Sequence, residues 1–211
     1  MKKLEDIIAT QLLQIKAIKL QPANPFKWAS GWLSPIYCDN RKTLSWPDVR
    51  TFIKIQFARR VMERWPQTDV IAGVATGAIA QGAMVADELG KPFVYVRSSP
   101  KSHGLENLVE GELAPGTKVV VIEDLISTGG SSLKALEALR KQGAEVLGML
   151  AIFSYGFQVA EDNFASVGVE YETLSNYQAL LKVANEGGYV SSDEMDTLAR
   201  WREDPSNWPR G

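Results

Sequence analysis

Segment 119–131 constrains the fold more than any other part of the chain. Four branched apolar residues run into two adjacent acids, Glu123 and Asp124, and a short turn rich in hydroxyl groups and glycine follows. Residues 132–141 then have the composition of a helix. A short, continuous apolar run is typical of a strand that is buried on both faces of a parallel sheet. The segment therefore predicts a parallel strand whose carboxyl end leads through a tight turn into a helix.

The turn after the two acids has the composition of an anion site. Gly129 and Gly130 would free backbone N–H groups at the start of a helix, where those groups and the helix dipole favour a phosphate. Ser127, Thr128 and Ser131 add hydroxyl groups. The two carboxylates before them could hold the hydroxyl groups of an attached sugar. The segment thus suggests a phosphorylated sugar as the ligand.

Ordinary structural roles would also account for these residues. Two acids at a strand end can be solvated or can cap a helix, and Ser131 could be the N-cap of the next helix. The capping role does not exclude the binding role, because the geometry of a helix N-terminus itself makes an anion site.

Composition limits the classes of protein that remain. A chain of 211 residues, 45% hydrophobic and 23% charged, suits one large globular domain. A net charge of −2 provides no general attraction to nucleic acid or to an anionic membrane. The single Cys38 fits a reducing compartment, and one histidine with one cysteine argues against a zinc site. A polar amino terminus without a long apolar run predicts a cytoplasmic protein with no membrane or nucleic-acid partner.

Short apolar strands alternate with helical patterns along most of the chain, which predicts an α/β fold with a mainly parallel central sheet flanked by helices. Segment 98–111 breaks the pattern and is predicted to be a long exposed loop. Three candidate loops, 73–78, 97–104 and 123–131, follow strands and would meet at the carboxyl edge of the sheet. The predicted helices are 4–17, 47–64, 77–89, 132–141, about 157–165, 176–184 and 191–201, and the other strands are 69–74, 93–97, 145–153 and an edge strand at 169–173.

The strand, the two acids and the sequence Ser-Thr-Gly-Gly-Ser closely resemble the ribose-phosphate motif of the type I phosphoribosyltransferases. The chain has no P-loop and no dinucleotide fingerprint. Within that family it resembles the orotate phosphoribosyltransferases. Two further segments carry this closer resemblance: Ala-Ser-Gly-Trp-Leu-Ser-Pro-Ile-Tyr-Cys-Asp-Asn-Arg at 29–41, and the loop 97–104 with Lys101 and His103. The resemblance extends from about residue 5 to the last helix.

The resemblance implies a single domain, 1–211, with a small N-terminal hood lobe at about 1–45, an α/β core at 46–170 and C-terminal helices at 171–211. It implies transfer of ribose 5-phosphate from phosphoribosyl pyrophosphate (PRPP) to N1 of orotate, which yields orotidine 5′-monophosphate and pyrophosphate in pyrimidine biosynthesis. Mg²⁺ would be required and held mainly through PRPP, without a dedicated protein metal site. A homodimer is also implied, with a mobile loop at 98–110 that closes over the partner's site.

The family also implies roles for individual residues. The two acids would bind the ribose hydroxyl groups and stabilise positive charge at C1, and segment 127–131 would hold the 5-phosphate, with Ser127 also touching orotate. Lys101 and His103 would face the leaving pyrophosphate, and Arg97 would bind the diphosphate. The implied catalytic residues are Lys101, His103 and Asp124, and the implied PRPP ligands are Arg97, Lys101, His103, Glu123, Asp124, Leu125, Ile126, Ser127, Thr128, Gly129, Gly130 and Ser131.

Simpler readings remain open for several of these residues. A lone histidine such as His103 is more often a surface residue, and a strand-end arginine such as Arg97 is often in a salt bridge. Loop 73–78 fits either tight helix–strand packing or a second anion loop for pyrophosphate. Segment 37–41 could simply anchor the N-terminal lobe.

The chain departs from some family members at three positions. It has Ser98 where they carry a second basic residue, Gly77 where they carry a lysine, and Tyr155 where they carry an arginine near orotate. Lys101 and His103 would then supply more of the positive charge. Arg41 and Tyr155 are only weak candidates for contact with orotate.

Two alternatives share the fold. One is a purine or uracil salvage phosphoribosyltransferase, against which segment 26–41 argues. The other is a PRPP-sensing regulator, which would be expected to carry a DNA-binding appendage and a basic surface.

Overall fold

The computed structural model describes residues 2–28, 31–99 and 108–208. Its amino-terminal part is a helix followed by two small antiparallel ribbons that are separate from the main sheet. In the first ribbon Lys19 faces Tyr37, and in the second Phe26 faces Ser34. The elements are α1 (Leu4–Gln14), β1 (Ile18–Leu20), β2 (Phe26–Lys27), β3 (Leu33–Ser34), β4 (Ile36–Cys38) and the 3₁₀ helix η1 (Asn40–Ser45).

The rest of the described chain builds a six-stranded sheet and its helices. The elements are α2 (Pro47–Arg64), β5 (Val70–Val74), α3 (Ile79–Leu89), β6 (Phe93–Val96), β7 (Val109–Glu110), β8 (Lys118–Ile126), α4 (Gly130–Lys141), β9 (Glu145–Ser154), α5 (Gln158–Ser166), β10 (Tyr171–Asn176), α6 (Tyr177–Glu186) and α7 (Ser192–Glu203). The strand order is β10-β9-β8-β5-β6-β7, and each neighbouring pair is parallel except β6 with β7. The predicted α/β fold with a mainly parallel sheet is confirmed.

Strand β8 explains why the apolar run 119–122 is continuous. Val120 and Ile122 pack into the core on one face of the sheet, with side chains from α1, α2 and α7. Val119 and Val121 pack into the core on the other face, with side chains from α4 and α5. Since successive side chains of a strand point to opposite faces, a strand covered on both faces needs apolar residues at every position.

Two strand boundaries differ from the sequence prediction. The predicted loop 98–111 contains β7, whose Val109 is 3% exposed and pairs with Val96. Two residues are too few to show a period, so the pattern could not reveal this strand. The edge strand predicted at 169–173 lies at Tyr171–Asn176, and the first C-terminal helix begins at Tyr177, next to its predicted start at 176.

The end of β8 also differs from the prediction. β8 stays paired with β9 as far as Ile126, which faces Ser154, so 123–126 belong to the strand and the loop is only 127–129. The N-cap of α4 is Gly129 and not Ser131, because the chain turns here with φ +82°, a left-handed conformation that glycine adopts without steric cost. In the described ranges, no helix is long and apolar enough to cross a membrane.

Candidate active site

Glu123 faces inward at the end of β8. It is 4% exposed, and its two carboxylate oxygens accept hydrogen bonds from the Asp124 backbone N–H at 3.0 Å and from the Ser132 hydroxyl at 3.1 Å. Burial, followed by the negative charge of Asp124, raises the pKa of Glu123 well above its ordinary value. The side chain therefore joins β8 to the first turn of α4, and a direct contact with a sugar remains a prediction.

Asp124 lies on the more open side of the strand. A Cβ atom added at Gly77 would overlap the Asp124 carboxylate, so the first predicted loop reaches this side chain. Burial raises the pKa of Asp124, while its hydrogen bond with Glu123 and the positive charge of Arg41 lower it. The structure thus brings the loops after β5 and β8 together at one carboxylate, as the convergence argument predicted.

The turn after β8 has the geometry of an anion site. Gly129 caps α4, the first turn of α4 carries no acidic residue, and Gly130 and Ser131 are exposed there. Ser127 and Thr128 are partly exposed. Unpaired backbone N–H groups at such an end attract negative charge. The turn can therefore hold a phosphate.

Helix α5 supports this turn from behind. The Asn163 side-chain amide donates a hydrogen bond to the Thr128 carbonyl oxygen at 2.8 Å. A Cβ atom at Gly129 would stand 3.2 Å from the ring of Phe164, closer than ordinary contact. A larger residue would therefore be strained at Gly129 by its positive φ and crowded by the aromatic ring.

The first loop, 73–78, shows the close helix–strand packing that was one of the two roles left open by the sequence. A Cβ atom at Gly73 would lie 2.8 Å from the Ala78 carbonyl oxygen, and one at Gly82 would lie 2.8 Å from the ring of Phe93. Those two glycines are explained by close packing of α3 on the sheet. Gly77 is different, because it faces Asp124. Binding of pyrophosphate by the backbone of this loop remains a prediction.

Arg97 follows β6 at the same edge of the sheet. Its backbone N–H donates to the Leu108 carbonyl oxygen at 2.8 Å, and its guanidinium group lies 3.4 Å from the Glu110 carboxylate. The salt-bridge reading of this arginine is therefore what the structure shows, and its contact with a diphosphate remains a prediction. Lys101 and His103 lie outside the described residues.

The N-terminal segment contributes Asn40, which the sequence suggested only as part of a segment that anchors the N-terminal lobe. The Asn40 side-chain amide donates a hydrogen bond to the Asp124 carbonyl oxygen at 2.6 Å. No local pattern could have revealed this contact, because the two residues are 84 positions apart. Its neighbour Arg41 is ion-paired with Asp39 at 2.7 Å and has a side chain that is 60% exposed.

Tyr155 belongs to the core. It is 2% exposed, and its ring lies against those of Trp28, Phe157 and Trp201. Burial raises its pKa well above the usual value. This packing gives Tyr155 a structural role, which removes it as a candidate for the orotate contact in the conformation described.

The cavity and metal-ligand geometry of the described residues does not point to a different functional site. A cavity of about 760 Å³ lies between α1 and α6, with Lys3, Asp6 and Lys182 among its lining residues, and none of the predicted site residues lines it. Among the described residues, no group of three or more His, Cys, Asp or Glu side chains is arranged to hold a metal ion. The candidate site is therefore the open carboxyl edge around Asp124.

The comparisons with known proteins agree with this geometry. Residues 52–179, more than half of the chain, match the family model for a phosphoribosyl transferase domain. The structure also resembles a UMP synthase from Leishmania donovani, with a TM-score of 0.79 at 24% identity over 94% of this chain and 42% of that one, which supports the fold. The class that the fold and the site define is thus the type I phosphoribosyltransferases.

Two further relatives narrow the class. An orotate phosphoribosyltransferase from Bacteroides thetaiotaomicron is 64% identical over the full length of both chains. The crystal structure of an orotate phosphoribosyltransferase from Aeropyrum pernix has a TM-score of 0.75 and 28% identity, and the match covers 87% of this chain and 99% of that one. The chain belongs to the orotate phosphoribosyltransferase family.

Proposed function

We propose that this enzyme transfers the ribose 5-phosphate group of PRPP to N1 of orotate, giving orotidine 5′-monophosphate and pyrophosphate in pyrimidine biosynthesis. The observation that carries the proposal is the carboxyl end of β8, where Asp124 stands beside a glycine-capped helix N-terminus. A carboxylate next to an anion site suits a sugar that carries a phosphate. Relatives named for this reaction match the whole chain.

In this proposal, different residues bind the phosphate, the ribose and the orotate. The turn 127–131 holds the 5-phosphate through backbone N–H groups and hydroxyls, and Ser127 reaches towards orotate. Asp124, with Glu123 behind it, meets the ribose hydroxyls and stabilises the positive charge that develops at C1 as pyrophosphate leaves. Orotate is acidic enough to need no strong general base. The rate enhancement then comes from holding N1 against C1 and from electrostatic stabilisation.

Mg²⁺ enters this proposal together with PRPP. The ion usually binds through one or two carboxylates and substrate phosphates while it keeps several waters. We assign its ligands mainly to PRPP and to water, without a dedicated metal site on the protein. When bound, Mg²⁺ neutralises charge on the diphosphate.

The pyrophosphate half of the site is assigned to Arg97, Lys101 and His103. We propose a homodimer in which the part of loop 98–110 that precedes β7 moves to admit PRPP and then closes over the partner's site, where it brings Lys101 and His103 to the diphosphate. Closure would exclude water that would otherwise hydrolyse the reactive sugar. The proposed location of the enzyme is the cytoplasm, and its proposed partners are PRPP, orotate and a second copy of the chain.

A spectrophotometric assay that follows the loss of orotate with PRPP and Mg²⁺ tests the reaction. Orotate should be consumed, and hypoxanthine, guanine, adenine and uracil should not replace it. Consumption of one of those bases in place of orotate would overturn the proposal in favour of a salvage enzyme.

A substitution in the loop tests the pyrophosphate assignment. Lys101→Ala should lower kcat sharply, because the positive charge that faces the leaving pyrophosphate is lost, while the circular dichroism spectrum stays that of the parent. An unchanged kcat would remove Lys101 from the mechanism.

A further inference from the structure

Among the residues that the structure describes, no strand pairs with one side of the part of β8 that carries the acids. β5 pairs with β8 only as far as Gly73, which faces Ile122, while β9 continues to pair on the other side up to Ile126. The backbone beyond Ile122 therefore needs a different partner towards β5, since a buried carbonyl group without a hydrogen bond is costly. The Asn40 side chain supplies one, because its amide donates to the Asp124 carbonyl oxygen at 2.6 Å.

Asn40 is itself held in place. The residue is 2% exposed, its side-chain oxygen accepts a hydrogen bond from the Cys38 thiol at 3.4 Å, and its backbone carbonyl accepts one from the Thr43 hydroxyl at 2.6 Å. Both ends of the side-chain amide are thus occupied, which fixes its orientation. A buried amide with defined partners on each side positions its neighbour more firmly than a solvated one would.

The same hydrogen bonds continue to the helix after the first loop. The Gln81 side-chain amide, on α3, donates to the Thr43 hydroxyl at 3.4 Å. Gln81 is one turn beyond Gly77, the glycine that faces the Asp124 carboxylate. Strand β8, the 3₁₀ helix η1 and helix α3 are therefore joined through Asn40, Thr43 and Gln81 on the side of Asp124 that faces the first loop.

We propose that Asn40 is a positioning residue for PRPP: its amide holds the Asp124 backbone so that the carboxylate stays beside Gly77 and meets the ribose hydroxyls. The inference rests on the proposed function, because it assigns the sugar of PRPP to Asp124. It also gives the N-terminal lobe a role: Asn40, in the same segment as Arg41, holds the part of the site that binds the sugar. Asn40 does not touch the substrate in this proposal.

Asn40→Leu tests it, because leucine is close to asparagine in size and cannot donate a hydrogen bond. The KM for PRPP should rise about tenfold, which corresponds to ~1.4 kcal/mol, while the KM for orotate changes less than about twofold. Calorimetric titration with PRPP and Mg²⁺ in the absence of orotate should show the same tenfold loss of affinity. Asn40→Ser, whose hydroxyl is too short to reach the Asp124 carbonyl, should give the same result and replaces the leucine variant if that variant does not fold.

Ser175→Ala is the matched control. Ser175 is fully buried, and its hydroxyl donates to the Glu5 carbonyl oxygen at 2.8 Å, so the variant also loses a long-range bond from a side chain to the backbone. It should lower Tm without changing the KM for PRPP. A KM and a binding affinity for PRPP within twofold of the parent in a folded Asn40 variant would overturn the proposal, as would a loss that affects orotate equally. A parent enzyme that binds PRPP but consumes no orotate would contradict the proposed function alone, and the calorimetric comparison would still test Asn40.

Discussion

The ends of β8 and β6 lie at the same edge of the sheet, on either side of β5, and they are built in different ways. At the end of β8, carboxylates, hydroxyls and a glycine-capped helix follow one another within a single segment, 123–131. At the end of β6, Arg97 lies 3.4 Å from Glu110, which comes from β7 on the far side of loop 98–108. One end presents an open anion site, and the other presents a cation already paired with an acid.

This difference shows where a local motif is sufficient. A helix N-terminus and its preceding loop make an anion site from consecutive residues, so the sequence alone contains the whole arrangement. The partner of a strand-end arginine is chosen by the fold, and the sequence cannot name it. Substitutions at the β8 end should therefore have the effects that its motif predicts. The effect of substituting Arg97 at the β6 end should depend on its partner, Glu110.

Asp124→Asn should have the largest effect at the β8 end. It keeps the shape of the side chain and removes the negative charge that we propose stabilises C1, so kcat/KM should fall by about 100-fold or more. The orotate assay measures the fall. Asp162→Asn, which alters an exposed acid on α5, should leave the rate unchanged. A loss of less than fivefold in Asp124→Asn would mean that the motif does not mark the reacting centre.

Gly77→Ala tests whether the first loop and the β8 end act together. Its methyl group would overlap the Asp124 carboxylate, and because the aspartate side chain is short, the carboxylate or the loop must move. The expected loss in kcat/KM is about 30-fold, on the scale of a group displaced by about 1 Å in an active site. Gly116→Ala, which strains a turn of φ +80° at the opposite end of β8, should lower Tm with an unchanged rate. Full activity in Gly77→Ala would separate the two loops.

Arg97→Gln and Glu110→Gln, both at the β6 end, should change the KM for PRPP in opposite directions. The first removes the charge-assisted contact that we propose between Arg97 and the diphosphate, and it should raise the KM for PRPP about tenfold. The second leaves the guanidinium without its carboxylate neighbour and should lower that KM about twofold, in keeping with the small energy of a partly exposed ion pair. Measuring the KM of both variants at low and moderate salt checks that these changes are electrostatic in origin. A rise in both variants would show that the pair orients Arg97 rather than competing for it.

The fold was predictable wherever each element carried its own pattern. The apolar run of β8 is continuous because both faces are covered, and α3 ends at Leu89, as its predicted range 77–89 indicated. The short strand β7 could not be predicted, because a two-residue strand has no period and is held by its pairing with β6. The end of β8 was placed too early for a similar reason, since pairing with β9 extends the strand through the acids.

The candidate site was likewise predictable only where consecutive residues form it. The phosphate turn follows from Ser127, Gly129 and Gly130 alone, whereas the different surroundings of Glu123 and Asp124 depend on distant residues. Asp124 meets Gly77 and Asn40, and Glu123 meets Ser132. Two adjacent acids look equivalent in the sequence, but the strand turns one towards the open edge and the other into the protein.

Glu123→Gln should have the smallest effect, and that effect should be seen first in the stability of the folded protein. Burial raises the pKa of Glu123 in the folded protein, so the folded state holds its proton more tightly than the unfolded state does. The stability that Glu123 contributes is therefore present below the ordinary pKa of a glutamate, about 4.3, and is lost as pH rises through the raised pKa of the folded state.

Glutamine can still accept from the Asp124 N–H and can donate to the Ser132 hydroxyl, and it has no charge to bury. The variant should gain about 1 kcal/mol at neutral pH, or roughly 2–4 °C in Tm, and the gain should shrink towards pH 4. Thermal unfolding from pH 4 to 8, followed by circular dichroism, measures this dependence. Glu137→Gln, on the exposed surface of α4, provides the reference. A variant less stable than the parent at neutral pH would mean that the Glu123 carboxylate is needed in its charged form, and the inward-facing acid would then resemble its neighbour more closely than the structure implies.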